Sequence, residues 1–194
     1  MIAYPSSREE LREQLQRRRA HLTVNNQRLA SKKITERLMQ CDFFQESHNI
    51  AAYMPINYEI DPINLVKQAW KCHKRCYLPV LRKKQLVFSI YEEDMTLQSN
   101  RFNILEPPVS PESIIEPWTL DLVLVPVLGF TMHGQRLGMG GGYYDRTFSF
   151  LLSEPRRNKP QLIGLAYDWQ KLTNFQANDW DVPLHTVFTE KSTY

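Results

Sequence analysis

The segment DLVLVPVL, residues 121–128, limits the possible folds of this chain more than any other stretch, because it is apolar at consecutive rather than alternate positions. It is too short for a core helix and has the length of a strand buried on both faces. Such a strand must be covered above and below, which calls for helices on both sides of a sheet. Shorter runs of the same kind recur at NIAAYMPI (49–56), KRCYLPVL (74–81), QLVFSIY (85–91), QLIGLAY (161–167) and HTVFTE (185–190). A helical stretch, PINLVKQAWKCH (62–73), separates the first two. The alternation predicts an α/β fold, a three-layer α/β/α arrangement with a mostly parallel central sheet.

The N-terminal part has a different pattern. Ser7 followed by Glu10 reads as a capping box, and Leu11, Leu15 and Leu22 follow at helical spacing. A second helix is expected from Asn26 to Phe44 on the stripe Leu29, Ile34, Leu38 and Met39. Residues 1–37 hold nine Arg or Lys against four Glu, a local charge of +5 in a chain whose net charge is +3. That asymmetry suits an anionic partner, although a solvated helix face accounts for most of these residues, including the run Arg17, Arg18, Arg19. A length of 194 residues fits a single domain, with the basic helices of 1–46 packed on the α/β core. The proline-rich segment from Glu92 to Trp118 reads as a long irregular connection.

No stretch is apolar over the ~18 residues needed to span a bilayer, and the start MIAYPSSREE lacks the pattern of a secretion signal. A cytoplasmic protein without membrane contacts is expected. Cys41, Cys72 and Cys76 read as reduced thiols, and Cys72, His73 and Cys76 lack the fourth ligand and the spacing of a zinc site.

Glycine is scarce, 7 residues in 194, yet six of the seven fall between 129 and 142, directly after the most apolar strand. In parallel sheets ligands bind beyond the carboxyl ends of strands, and backbone N–H groups without side chains can crowd an anion. A phosphate-binding segment is expected. It matches neither common fingerprint: no Gly-Lys-Ser/Thr follows, and Tyr143 stands where a dinucleotide-binding segment has its third glycine. Arg136, read as an exposed loop arginine, would counter phosphate charge. Asp145 beside a phosphate calls for a cation, and Mg2+ meets that need through one or two carboxylates plus phosphate oxygens. Asp181 is the best second carboxylate, with Asp179 close by.

The stretch DLVLVPVLGFTMHGQRLGMGGGYYDR closely resembles the sequence pattern of the 5-formyltetrahydrofolate cyclo-ligase family, also called 5,10-methenyltetrahydrofolate synthetases. The resemblance extends to Arg8 and Arg12, to AAYMPINYEI, to CYLPVL, and to IGLAYDWQ, DWDVPL and TVFTE near the end of the chain. It implies ATP- and Mg2+-dependent closure of 5-formyltetrahydrofolate to 5,10-methenyltetrahydrofolate through a phosphorylated formyl group, with release of ADP and phosphate. It implies that Arg8, Arg12, Gly134, Gln135, Arg136, Leu137, Gly138, Met139, Gly140, Gly141 and Gly142 bind ATP, and that Asp145 and Asp181 bind the metal. Folate would meet Met54, Glu59, Phe102, Met139, Gly140, Gly141, Gly142 and Tyr143, with Arg136 and Tyr143 serving catalysis and Tyr144 packing inward. The family often has Lys where Arg8 stands, which keeps the charge and changes the donor geometry. The resemblance further implies a monomer acting on small molecules, with no nucleic acid partner. Two rival readings, a nucleic-acid-binding module built on the basic N-terminus and a non-catalytic nucleotide- or folate-binding protein, are separated from it by salt dependence and by a turnover assay.

Overall fold

The computed structural model describes residues 7–153 and 159–194. Residues 1–6, which bear on the reading of the N-terminus as lacking a secretion signal, lie outside the described residues. Two helices come first, α1 (Arg8–Ala20) and α2 (Val24–Leu38), then a single turn α3 (Asp42–Gln45). The α/β part begins with β1 (Asn49–Ala51), α4 (Ile63–Lys71), β2 (Arg75–Arg82) and β3 (Gln85–Ile90). Three short strands follow, β4 (Gln98–Ser99), β5 (Leu105–Glu106) and β6 (Ile114–Ile115), and then the buried β7 (Leu122–Pro126). The chain closes with the hairpin β8 (Gly129–Phe130) and β9 (Arg136–Leu137), the helices α5 (Tyr143–Phe148) and α6 (Phe150–Ser153), and the strands β10 (Gln161–Leu165) and β11 (Thr186–Phe188).

Seven strands form one sheet in the order β11-β10-β7-β1-β2-β3-β6. Pairing is parallel from β11 through β2, and β3 and β6 join antiparallel at the far edge. Successive side chains of a strand point to opposite faces, and β7 shows both faces in use. Leu122 and Leu124 pack with Ile34 and Leu38 of α2 and with Leu65, Val66 and Ala69 of α4. Val123 and Val125 pack on the other side with Phe148 of α5. Each such side chain contributes about 1.5–3 kcal/mol by leaving water, so the run that looked least like a surface strand is the middle one of the five parallel strands. The result is the three-layer α/β/α architecture.

Three local expectations are refined. The second helix stops at Leu38 and re-forms as α3, because the chain turns at Met39–Cys41, where the Cys41 N–H donates to Leu38 O at 3.1 Å. Lys74 Nζ then holds the entry to β1 by donating to Gln45 O at 2.9 Å and Ser47 O at 2.7 Å. The first strand ends at Ala51, and the residues after Ala52 leave the sheet to build the turn that carries Glu59. The 92–118 segment is not irregular throughout: β4 pairs with β5, and β6 extends the sheet beyond β3. Among the described residues no helix is long and apolar enough to cross a membrane.

Candidate active site

Beyond β7 the glycine-rich segment is a small hairpin followed by an open turn. Gly129 faces Leu137 and Phe130 faces Arg136 across β8 and β9. Gly134 closes the hairpin at φ +74°, its carbonyl accepts from Leu184 N at 2.8 Å, and a Cβ there would overlap the Leu184 carbonyl oxygen. Only glycine suits that combination of backbone and space. After β9, Gly140 turns at φ +96° beneath the Arg12 guanidinium, and the chain enters α5 at Tyr143.

One face of α1 lies along this segment. Positions 8, 12, 16 and 19 fall within a quarter turn of one another on a helix and span roughly 16 Å of its length. Arg8 Nη1 pairs with Asp181 Oδ2 at 3.3 Å, and its Nη2 donates to Gln176 O at 2.6 Å. Arg12 Nε donates to Gly138 O at 3.0 Å, and Gln16 Nε2 reaches Met139 Sδ at 3.3 Å. Arg19 Nη1 pairs with Glu59 Oε1, also at 3.3 Å. Leu11 and Leu15 seat the helix against Leu128, Leu137 and Phe175.

Arg136 is not an exposed loop residue. It lies in β9 with 7% of its surface exposed, and its guanidinium donates to Asp145 Oδ1 at 2.5 Å and to Val182 O. The hairpin turns it inward because Phe130, opposite it, sits in the core beside the 182–184 segment. Asp145 Oδ1 also accepts from Val182 N at 3.0 Å. Arg136 and Asp145 therefore hold the glycine segment, the start of α5 and the 182 region together.

Asp181 Oδ2 accepts from Asn178 N at 2.8 Å as well as from Arg8, and it sits next to Val182, the residue bonded to Asp145. Asp179 is exposed and carries no such bonds among the described residues. No group of three His, Cys, Asp or Glu side chains that could hold a metal ion by itself occurs among the described residues. Mg2+ does not require one, since it takes one or two carboxylates together with substrate phosphates and waters. Asp145 Oδ2 and Asp181 Oδ1 have no hydrogen-bond partner among the described residues, so the donor set fits that demand.

The residues expected to meet folate are less closely connected. Glu59, 7% exposed, closes a turn in which Asn57 and Tyr58 both adopt positive φ, 47° and 59°. Glu59 N donates to Ile56 O at 2.9 Å, and Ile56 N donates back to Glu59 Oε2 at 3.1 Å. Gln27 Nε2 donates to Glu59 O at 2.6 Å, and Tyr167 Oη to Tyr58 O at 2.9 Å. So bulky a residue as Tyr58 at positive φ is costly, and the surrounding bonds hold the turn in place. Burial pushes the Glu59 carboxyl up from its ordinary value, and Arg19 pulls it back. Burial, followed by the Glu59 charge, also pushes up the Tyr53 and Tyr144 phenols.

Met54 lines a cavity of about 170 Å³ with Tyr53, Pro55, Asp61, Leu78 and Tyr91. Phe102 is 52% exposed under the Arg101 guanidinium, and Arg101 Nη2 donates to Tyr143 Oη at 3.2 Å. No hydrogen bond, ion pair or ring contact among the described residues joins Phe102 to Met54 or Glu59. Arg19 and Tyr144 are additions to the expected set. Arg19 had a signal in the sequence: it falls four residues after Leu15 and three before Leu22, on the apolar stripe of its helix.

A model of the 5-formyltetrahydrofolate cyclo-ligase family matches residues 5–190. The chain is 34% identical over 184 residues to the 5-formyltetrahydrofolate cyclo-ligase of Haemophilus influenzae, covering 93% of this chain and 96% of that one. It is 36% identical over 177 residues to the Escherichia coli protein of the same name, covering 90% and 94%. The fold is similar to the solved 5,10-methenyltetrahydrofolate synthetase of Aquifex aeolicus, with a TM-score of 0.80, 29% identity and coverage of 96% and 91%. It is also similar to the Mycoplasma pneumoniae synthetase, with a TM-score of 0.74, 26% identity and coverage of 95% and 99%.

Proposed function

The chain belongs to the 5-formyltetrahydrofolate cyclo-ligase family and is an enzyme, and on that premise we propose that it uses ATP and Mg2+ to close 5-formyltetrahydrofolate to 5,10-methenyltetrahydrofolate. The observation that carries this reading is that Arg12 and the Arg136–Asp145 pair meet at one glycine-rich segment, with the Arg8–Asp181 pair beside Val182, which bonds both Arg136 and Asp145. A segment with cations on two sides and two half-free carboxylates at its edge suits a triphosphate.

In the proposed reaction the formyl oxygen attacks the γ-phosphorus of ATP, and ADP leaves. The N10 lone pair then attacks the activated formyl carbon, the carbon–oxygen bond breaks with release of phosphate, and N10 gives up its proton. Positioning and charge neutralisation govern phosphoryl transfer, so no protein nucleophile is required. Gly134 closes the hairpin, and Gln135, Leu137, Gly138, Met139 and Gly140–Gly142 present backbone to the phosphates, with Arg8 and Arg12 above them. Arg136 adds its charge from beneath the segment and fixes Asp145. Asp145 and Asp181 would hold Mg2+, which when bound supplies neutralising charge for the phosphates.

Glu59 accepts N–H groups of the pterin, while Met54, Phe102, Met139 and Tyr143 enclose the folate and keep water from the activated carbon. The enzyme acts as a cytoplasmic monomer on these small molecules, with no nucleic acid or membrane partner. The arginines of α1 agree with that reading, since Arg8, Arg12 and Arg19 are engaged with Asp181, Gly138 and Glu59. The test is direct: the protein mixed with 5-formyltetrahydrofolate, ATP and Mg2+ should yield the near-ultraviolet absorbance of the methenyl product. Absence of ATP-dependent product at high enzyme concentration overturns the proposal.

A further inference from the structure

Among the described residues, the buried side-chain nitrogens or oxygens without a hydrogen-bond partner are Nε and Nη2 of Arg19. This arginine is 2% exposed, and its remaining terminal nitrogen meets Glu59 at 3.3 Å. A buried guanidinium with two idle donors is costly to a fold, and replacing buried ion pairs with apolar side chains is often neutral or stabilising. The helix already offers that alternative, because Leu15 is buried one turn earlier on the same stripe. Stability would be served as well by an apolar pair at positions 19 and 59, so the arginine has to be explained together with its carboxylate.

That carboxylate supplies the reason. The two Glu59 oxygens are divided, Oε1 to Arg19 and Oε2 to Ile56 N, so the carboxylate is fixed in direction from both sides. We infer that Arg19 is a positioning residue for the proposed folate site: it aims the Glu59 carboxylate and supplies its counter-charge. The inference rests on the reading that Glu59 receives the pterin.

Four groups face Glu59: Arg19 from α1, Tyr53 from the segment after β1, Tyr144 from α5 and Tyr167 from the loop after β10. The three phenols are pushed up by burial, Tyr167 to about 12, and stay neutral between pH 6 and 9. Glu59 is the carboxyl of the cluster, and burial and Arg19 act on its proton in opposite directions. Burial raises its pKa and Arg19 lowers it, so loss of Arg19 lets the carboxyl keep its proton further toward neutral pH. A protonated carboxyl cannot accept two pterin N–H groups. Affinity for folate should then be lost at low pH and recovered as pH rises.

Equilibrium dialysis of 5-formyltetrahydrofolate without ATP, from pH 6 to 9, tests this on wild type, Arg19→Met, Arg19→Lys and the double variant Arg19→Met/Glu59→Gln. Arg19→Met should bind several-fold more weakly than wild type at the acid end of this range and recover as pH rises toward 9. Arg19→Lys should restore most of the affinity, and the double variant should bind weakly at every pH. Unchanged binding by Arg19→Met, weakening that is uniform in pH, or a pH dependence that survives in the double variant overturns the inference. If Arg19→Met does not fold, Arg19→Gln, which also removes the charge, takes its place in the same comparison. Wild type that forms methenyl product while its variants fail these expectations overturns this inference alone; wild type that forms none overturns the proposed function and the inference with it.

Discussion

Arg136 and Asp145, nine residues apart, meet at 2.5 Å between a short strand and the helix that follows it, and Val182 binds both. Removing one partner of such a pair leaves a charge in a poorly hydrated place. Arg136→Ala should therefore lower unfolding free energy by about 2–3 kcal/mol, less than for a fully buried pair because Asp145 keeps some solvent contact. Urea unfolding checks this, and an unchanged midpoint would show that the pair contributes nothing to the fold. The double variant Arg136→Met/Asp145→Asn, which leaves no unpaired charge, should lose less.

Asp145→Asn keeps an oxygen for Val182 N but removes the charge that suits a divalent cation. The Mg2+ concentration for half-maximal turnover should rise about tenfold, the effect of roughly 1.4 kcal/mol of lost attraction. A Mg2+ titration that superimposes on that of wild type moves the metal assignment away from Asp145.

Two glycines of the same segment separate backbone need from ligand need. Gly134→Ala forces an L-residue to φ +74° against the Leu184 carbonyl, and should destabilise by at least about 2 kcal/mol. Gly138 has open space around its Cβ position, so Gly138→Ala should leave stability within about 0.5 kcal/mol of wild type while raising KM for ATP. An unaltered KM for ATP takes Gly138 out of the proposed phosphate site.

The C-terminal residues are tied to the turn after β10 by Asp168, which accepts from Tyr194 Oη at 2.7 Å and Thr189 Oγ1 at 3.2 Å. The Tyr194 hydrogen bond is the largest influence holding its carboxyl below the usual carboxylate value. A carboxyl depressed by folding contributes stability that is present above its unfolded pKa near 4 and is lost as pH falls through the folded value. Tyr194→Phe should thus cost about 1 kcal/mol at pH 7 and progressively less as pH falls below about 4. Thermal melts of both proteins at pH 7, 5 and 3 measure the difference, which must shrink with acid if Asp168 is its source.

The layers of the fold were legible in residues 121–128, because a strand without a polar face admits few surroundings. The break at Met39–Cys41 was not, since no glycine or proline marks it and Phe44 continues the apolar stripe across it. Arg8, Arg12 and Asp181 could be placed near one segment by resemblance, but their mutual pairing depends on how 176–184 packs, which no local pattern encodes. Arg136 was misjudged because a polar residue among glycines looks solvated, whereas the hairpin turns it inward. Arg19 was hidden for the opposite reason: within three consecutive arginines, the one on the apolar stripe looks like its neighbours.

The face of α1 that carries Arg8, Arg12, Gln16 and Arg19 has an energetic consequence, because one rigid rod touches both the triphosphate side and the pterin side of the proposed site. Were either ligand to stiffen this rod on binding, the other would have less left to order, and each would tighten the other by the same factor. ATP and folate binding would be thermodynamically reciprocal, with a single helix as the shared term.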